Sequence, residues 1–298
     1  MTKLFTLDPD YFLKEGFGTL MGHYAAMYSL HKDTGIIPCI LDIDFKQQNL
    51  TSAMEFFNKF DEPIMYPQHV FSNMSKIFKV IQENQIKDIT WKWIDFTSSS
   101  YEEICSCINN TNYNIICRYN LNQELYTKYK DEIIKQLFIF NSNLINRCKK
   151  LLPKTSKDIV GVCVRNEYKK IPDNRHIKLS IDFYQRAMNL FDIKNTKYLI
   201  FSDDINECKN IFKNLESKYD IEYTNPMPSS VGMCLMSLCI HNICANSSFS
   251  YWASILNRNL NKKIVCPAKF IEDNTNCIHA KTLNYRWYPN SWISLDQL

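Results

Sequence analysis

Three consecutive polar residues, Asn246, Ser247 and Ser248, end the apolar run Ile243-Cys244-Ala245 and precede Tyr251, Trp252, Ile255 and Leu256. The three- and four-residue spacing of that second group is the face of an amphipathic helix. Asn and Ser directly before such a helix cap its first free backbone N–H groups. A capped helix start carries spare N–H donors and the positive end of the helix dipole, so it suits an anion, phosphate above all. An ordinary capped core helix has the same local pattern. The distinction rests on what else converges there.

Other candidates follow apolar runs in the same way. Arg165 and Glu167 come after DIVGVCV, and Ser202, Asp203 and Asp204 come after KYLIF. A guanidinium fork matches a diphosphate, and a carboxylate serves as a base or orients the arginine. The aspartates also stand where they would cap the helical pattern INECKNIF. Gly16 and Gly18 open another helix; such a pair lets backbone N–H groups approach a ligand, or simply makes a tight turn. His23, on that first helix, and Asp42 and Asp44, closing IIPCILDID, are candidate bases. Their plain alternatives are a packed or solvated imidazole and a solvated loop.

The elements that must hold these residues alternate. Residues 16–35 read as a helix stopped by Gly35, and IIPCILDID reads as a strand, with Pro38 marking an edge or early position. Between 46 and 150, helical patterns (52–60, 70–82 and 127–148) alternate with ITWKWIDF and YNIICRYN. The last pattern ends in basic residues and Pro153, which places a domain boundary near 150–157 and domains at 1–152 and 153–298. Strand and helix patterns alternate again as far as KKIVCPAKF. Strands alternating with helices predict parallel α/β, with polar residues delivered at the carboxyl ends of the strands, where ligands sit. Trp91, Trp93, Phe96 and Tyr101 are of a type that stacks a sugar ring, although the usual burial of tryptophan favours core packing.

Composition narrows the class. The 298 residues are 45% hydrophobic and 13% aromatic, enough for two packed domains. A net charge of +4 without a basic block argues against nucleic acid as a partner. No apolar run is long enough to span a membrane. The start MTKLFTLDPDYF lacks the apolar core of a leader, so a cytoplasmic location is expected. The twelve cysteines are then reduced and mostly packed, and none forms a CxxC pair, which argues against a zinc site.

These residues carry a resemblance. Asn246-Ser-Ser-Phe-Ser-Tyr-Trp-Ala, with Met236-Ser-Leu-Cys before it and Val265-Cys-Pro after, resembles the last motif of glycosyltransferase family 11, the α-1,2-fucosyltransferases. Phe201-Ser-Asp-Asp is similar to the family's middle motif. Gly16-Phe-Gly with Tyr24-Ala-Ala-Met resembles its N-terminal glycine loop, and Val162-Cys-Val-Arg-Asn-Glu-Tyr its His-x-Arg-Arg-x-Asp segment. The four occur in the family's order, from about Gly16 to Phe270.

The resemblance implies a GT-B-like α/β fold, two Rossmann-like domains facing a cleft. It also implies an inverting transfer of fucose from GDP-fucose to a glycan acceptor, with no cofactor and no required metal. Arg165 takes the diphosphate-binding position. Ser247, Ser248 and their helix start grip the same group, Asn246, Phe249 and Ser250 complete the motif, Ser202, Asp203 and Asp204 shape the nucleoside pocket, and Gly16 and Gly18 belong to the donor site. The catalytic set is Arg165 with Glu167, His23 or Asp42. Three departures bear on the donor. Cys163 replaces the family histidine, the second arginine is absent, and Gly232 replaces an acid suited to guanine's N1–H and N2–H donors. GDP-fucose, another nucleotide sugar such as a UDP-hexosamine, and a non-catalytic sugar- or nucleotide-binding protein therefore stand as three readings. Acceptor, linkage and oligomeric state have no signal in the sequence.

Overall fold

The computed structural model describes residues 3–8, 16–42, 67–119, 123–165, 177–270 and 288–296. The chain divides into two compact units, Met1–Asn141 and Ser142–Leu298. Each is a Rossmann-like α/β unit on a parallel sheet, as the GT-B-like class requires.

The first unit holds β1 (Leu4–Leu7), α1 (Phe17–Thr34), β2 (Ile37–Asp42), β3 (Lys79–Gln82), β4 (Trp91–Phe96), α2 (Tyr101–Asn110) and β5 (Asn114–Tyr119), with strand order β3-β2-β1-β5-β4. β1 is buried throughout, whereas β5 alternates between half-buried and buried positions, so one of its faces is the more deeply packed. Gly35 ends α1 as expected: it is left-handed, φ 70°, and its N–H reaches the His31 carbonyl at 2.8 Å. Pro38 is early in β2 but not at an edge, since β2 lies between β1 and β3.

Two expected helices are broken by contacts distant in sequence. Within 70–82 only short helical turns form, Pro67–Val70 and Met74–Ile77, and Lys79–Gln82 pairs with β2 as a strand. Ile81 is thereby buried with Leu4, Cys39 and Leu41, which outweighs a local helical period. The pattern over 127–148 breaks at Phe138 and Phe140, whose rings pack on Phe71 at 4.9 and 5.0 Å. The helix resumes as α3 (Ser142–Leu151), which belongs to the second unit, so the division falls one helix before the expected boundary. The pattern over 52–60, together with Asp44 and Glu167, lies outside the described residues.

The second unit continues with β6 (Asp158–Val164), α4 (Ile181–Met188), β7 (Thr196–Ser202), α5 (Ile205–Phe212), β8 (Asp220–Tyr223), α6 (Ser229–Ser237), β9 (His241–Ile243), α7 (Ser248–Ile255), β10 (Ile264–Pro267) and β11 (Ile293–Leu295). β11 is not anticipated from the sequence; it is three residues long and pairs Val265 with Ile293. The strand order is β11-β10-β9-β6-β7-β8. The chain starts at β6, winds outward through β7 and β8, then returns to build β9 on the other side. That reversal makes the carboxyl ends of β6 and β9 a topological switch point, where open α/β sheets bind ligands. Val160, Val162, Phe183, Tyr198, Ile243 and Val265 fill the core beneath it.

Among the described residues the cysteines are free thiols, and no group of three or more His, Cys, Asp or Glu is placed to hold a metal ion. No described helix is long and apolar enough to cross a membrane.

Candidate active site

Arg165 is the first residue past β6, and the chain from Cys244 to Ser247 turns from β9 into α7. β6 and β9 are neighbours, with Val162 opposite Ile243, so these two chain ends meet. Arg165 Nη1 donates to the Asn246 carbonyl at 3.1 Å. The guanidinium is thus anchored against the residue preceding the Ser247 cap. Arginine, serine turn and helix start form one constellation in the second unit.

The motif side chains divide their work. Ser247 is the N-cap, its Oγ accepting from Phe249 N at 3.2 Å. Ser250, fully buried, donates to the carbonyls of Ala245 and Ser247, both at 3.0 Å. Asn246, also fully buried, donates through Nδ2 to the Ile177 carbonyl at 2.7 Å. These three build the turn. Ser248 and Phe249, at the first helical positions, are half-buried and face outward more than their neighbours. Tyr288, to which no sequence motif points, donates from its hydroxyl to the Ala245 carbonyl at 3.0 Å and braces the turn from the C-terminal segment.

β7 runs beside β6, with Ser202 opposite Val164. Ser202 Oγ donates to Asp203 Oδ1 at 3.1 Å and accepts from Asp204 N at 3.1 Å. Asp204 Oδ1 accepts from Glu207 N at 3.0 Å, so Asp204 caps α5, the structural alternative open to it from the sequence. Cys163 is buried beneath the turn; burial, with smaller contributions from Cys244 and Asp203, pushes its thiol up, out of the range of a reactive thiolate. Gly232 lies on α6, where a Cβ would stand 3.4 Å from Phe249 Cζ and 3.7 Å from Met227. The position expected to hold an acid is therefore the packing surface under Phe249.

The first unit holds the remaining described candidates. His23 has zero exposure, packs its ring edge-on to Tyr119 at 5.3 Å, and is held neutral, burial lowering its pKa to about 3. It is a core residue, the packed alternative open to it from the sequence. Gly16 caps α1 without a side-chain bond, and a methyl added there would meet nothing within 4 Å. Gly18 is buried in the first turn, and Asp42 closes β2.

Residues 13–292 match the family model described as "Glycosyl transferase family 11". The chain belongs to glycosyltransferase family 11. It is 26% identical, over 95% of its length and 99% of the relative's, to the O-antigen biosynthesis glycosyltransferase WbnK of Escherichia coli. Among solved structures it is similar to POFUT1 in complex with GDP, with a TM-score of 0.54 and 12% identity, covering 89% of this chain and 98% of that one. The α-1,6-fucosyltransferase NodZ co-crystallized with GDP gives a TM-score of 0.53 and 14% identity over 86% of this chain and 93% of that one. A selenomethionine form of NodZ from Bradyrhizobium gives 0.53 at 15% identity, covering 86% and 92%. At such identities the likeness is one of fold. As a member of family 11 the chain is a glycosyltransferase.

Proposed function

We propose that this family 11 enzyme transfers fucose from GDP-fucose to a hydroxyl of a glycan acceptor, with inversion at the anomeric carbon. The observation that carries the reading is the 3.1 Å bond from Arg165 to the Asn246 carbonyl, which holds a guanidinium beside the start of α7. In this reading the guanidinium and the first N–H groups of α7, with Ser248, take the diphosphate. As the bond from the sugar to the diphosphate breaks, both stabilise the charge that develops on the leaving group. That role needs no metal ion. The acceptor hydroxyl attacks the opposite face of the anomeric carbon and gives its proton to a carboxylate. With His23 in the core, Asp42 and Glu167 are the two candidates for that base. Solved relatives of the same fold, POFUT1 and NodZ, were crystallised with GDP, which supports the choice of nucleotide.

Arg165→Ala is expected to abolish transfer and weaken GDP binding while the melting temperature stays close to that of wild type. Wild-type turnover in that variant sinks the mechanism. Activity is expected to survive chelation by EDTA. Asp42→Asn and Glu167→Gln separate the two bases by which of them removes the acidic limb of the pH–rate profile, where the base becomes protonated.

A second reading has its own observation. Cys163 is sealed under the turn and Gly232 packs against Phe249, so neither supplies the imidazole or carboxylate that the family resemblance places there. A UDP-sugar donor fits that loss. Calorimetry with GDP and with UDP decides: selective GDP binding supports fucose transfer, and selective UDP binding supports the second reading.

A further inference from the structure

We infer that Trp93, Arg118 and Asp8 form a binding site for a neutral sugar ring on the first unit, an inference that rests on the glycosyltransferase reading for its choice of ligand. Of the aromatics clustered in sequence there, Phe96 is buried, Tyr101 bonds through its hydroxyl to Asp33 at 2.8 Å, and Trp91 packs against the cluster around Ile81. Trp93 alone of the four keeps half its surface, 51%, in water. Burial of tryptophan is the rule, so an indole held open on a strand needs a reason.

Its surroundings are those of a site. The carboxylate of Asp8, just past the end of β1, accepts at one oxygen, Oδ2, from Trp93 Nε1 at 3.3 Å and from Arg118 Nε at 3.0 Å. The Arg118 guanidinium carbon lies 5.5 Å from the indole centroid. Ring, fork and carboxylate, from β4, β5 and the end of β1, fix one another in place. The side chain of Arg118 is 43% exposed, and its other guanidinium N–H groups make no hydrogen bond among the described residues.

The charge balance selects the ligand. Asp8 and Arg118 form an ion pair, and Asp95, opposite Arg118 across β4 and β5, adds a second carboxylate, so the patch does not draw an anion. It offers an apolar aromatic surface beside fixed hydrogen-bond donors. A neutral pyranose matches both, with an apolar C–H face for the indole and hydroxyls for the guanidinium. In a glycosyltransferase such a ligand is a sugar residue of the acceptor glycan.

The test is saturation-transfer NMR on the full chain with the methyl glycosides of galactose, glucose, N-acetylgalactosamine and N-acetylglucosamine as probes. At least one is expected to bind wild type. Trp93→Ala is expected to weaken it about tenfold, the loss of one stacking contact, and Trp93→Phe to restore most of the affinity. Arg118→Ala is expected to weaken it as well. Failure of all four glycosides to bind overturns the site, and so does equal binding by Trp93→Ala. Wild-type titrations with GDP and UDP run alongside: loss of sugar binding with a nucleotide still bound refutes this site only, whereas binding of neither nucleotide refutes the donor reading.

Discussion

Asn246 donates through Nδ2 to the carbonyl of Ile177 at 2.7 Å, while its own carbonyl accepts from Arg165 at 3.1 Å. One fully buried residue therefore holds both flanks of the connection from β6 to α4, the arginine before it and the main chain after it. Asn246 acts on the site by position, and the groups that would meet a diphosphate are its neighbours.

Removing that amide leaves the Ile177 carbonyl without its donor. Asn246→Ala is expected to destabilise the fold by about 1–3 kcal/mol, read by urea denaturation. It is also expected to raise the KM for the donor, because Ile177 and the turn that supports Arg165 lose a common anchor. An unchanged KM together with the stability loss would confine Asn246 to folding.

Two serines of the same turn are expected to separate. Ser248 is half-buried at the first position of α7, whereas Ser250 is buried and spends its hydroxyl on Ala245 and Ser247. Ser248→Ala should weaken nucleotide binding by about 0.5–1.5 kcal/mol, one neutral hydrogen bond, with little change in melting. Ser250→Ala should show the reverse emphasis, a stability loss of about 1 kcal/mol by thermal melting. A pair of variants with identical profiles in calorimetry and melting contradicts this division.

What the sequence disclosed follows from the range of the interactions. Ser247 capping α7, Asp204 capping α5 and Gly35 ending α1 involve atoms a few residues apart, so residue type and spacing reveal them. The meeting of Arg165 with Asn246 was legible in part, because both follow apolar strands, although the pairing of β6 with β9 is a matter of topology. Other features depend on distant partners. The break at Phe138 and Phe140 needs Phe71, β3 needs β2, and the role of Tyr288 needs Ala245. His23 looked like a candidate base from its position near the glycine pair, and only the packing of α1 shows it in the core. The ion pair of Asp8 with Arg118 joins residues at opposite ends of the first unit's sequence.

Gly161 sits in mid-β6 under a chain of buried amides. A Cβ there would stand 2.9 Å from Asn242 Nδ2, 3.1 Å from Met236 Cγ and 3.2 Å from Cys239 Sγ. Asn242 Nδ2 donates to the Met236 carbonyl at 2.9 Å, and its Oδ1 accepts from Asn257 at 2.8 Å, tying α6 and β9 to the residues after α7. Gly161→Ala must displace that amide. The expected cost is about 1–3 kcal/mol in denaturant, the usual range for overpacking a filled core. A variant as stable as wild type would mean that Asn242 moves aside freely.

The burial of His23 makes stability depend on pH with a definite sign. In the folded chain its pKa is lowered from 6.5 to about 3, because burial penalises the charged imidazolium. Above about pH 6.5 the imidazole is neutral in both folded and unfolded chains, and His23 contributes no pH dependence. Between about 6.5 and 3 the unfolded chain takes up a proton that the folded chain refuses. Stability therefore falls as pH falls through that window, by up to about 1.4 kcal/mol for each pH unit from this one group. His23→Met keeps an apolar side chain of similar size against Tyr119 and removes the titration. Urea unfolding of both proteins at pH 7.5 and at pH 5.5 is expected to show a smaller loss of stability in the variant. Equal losses would place a solvated, titrating imidazole at this position and return His23 to the list of candidate bases.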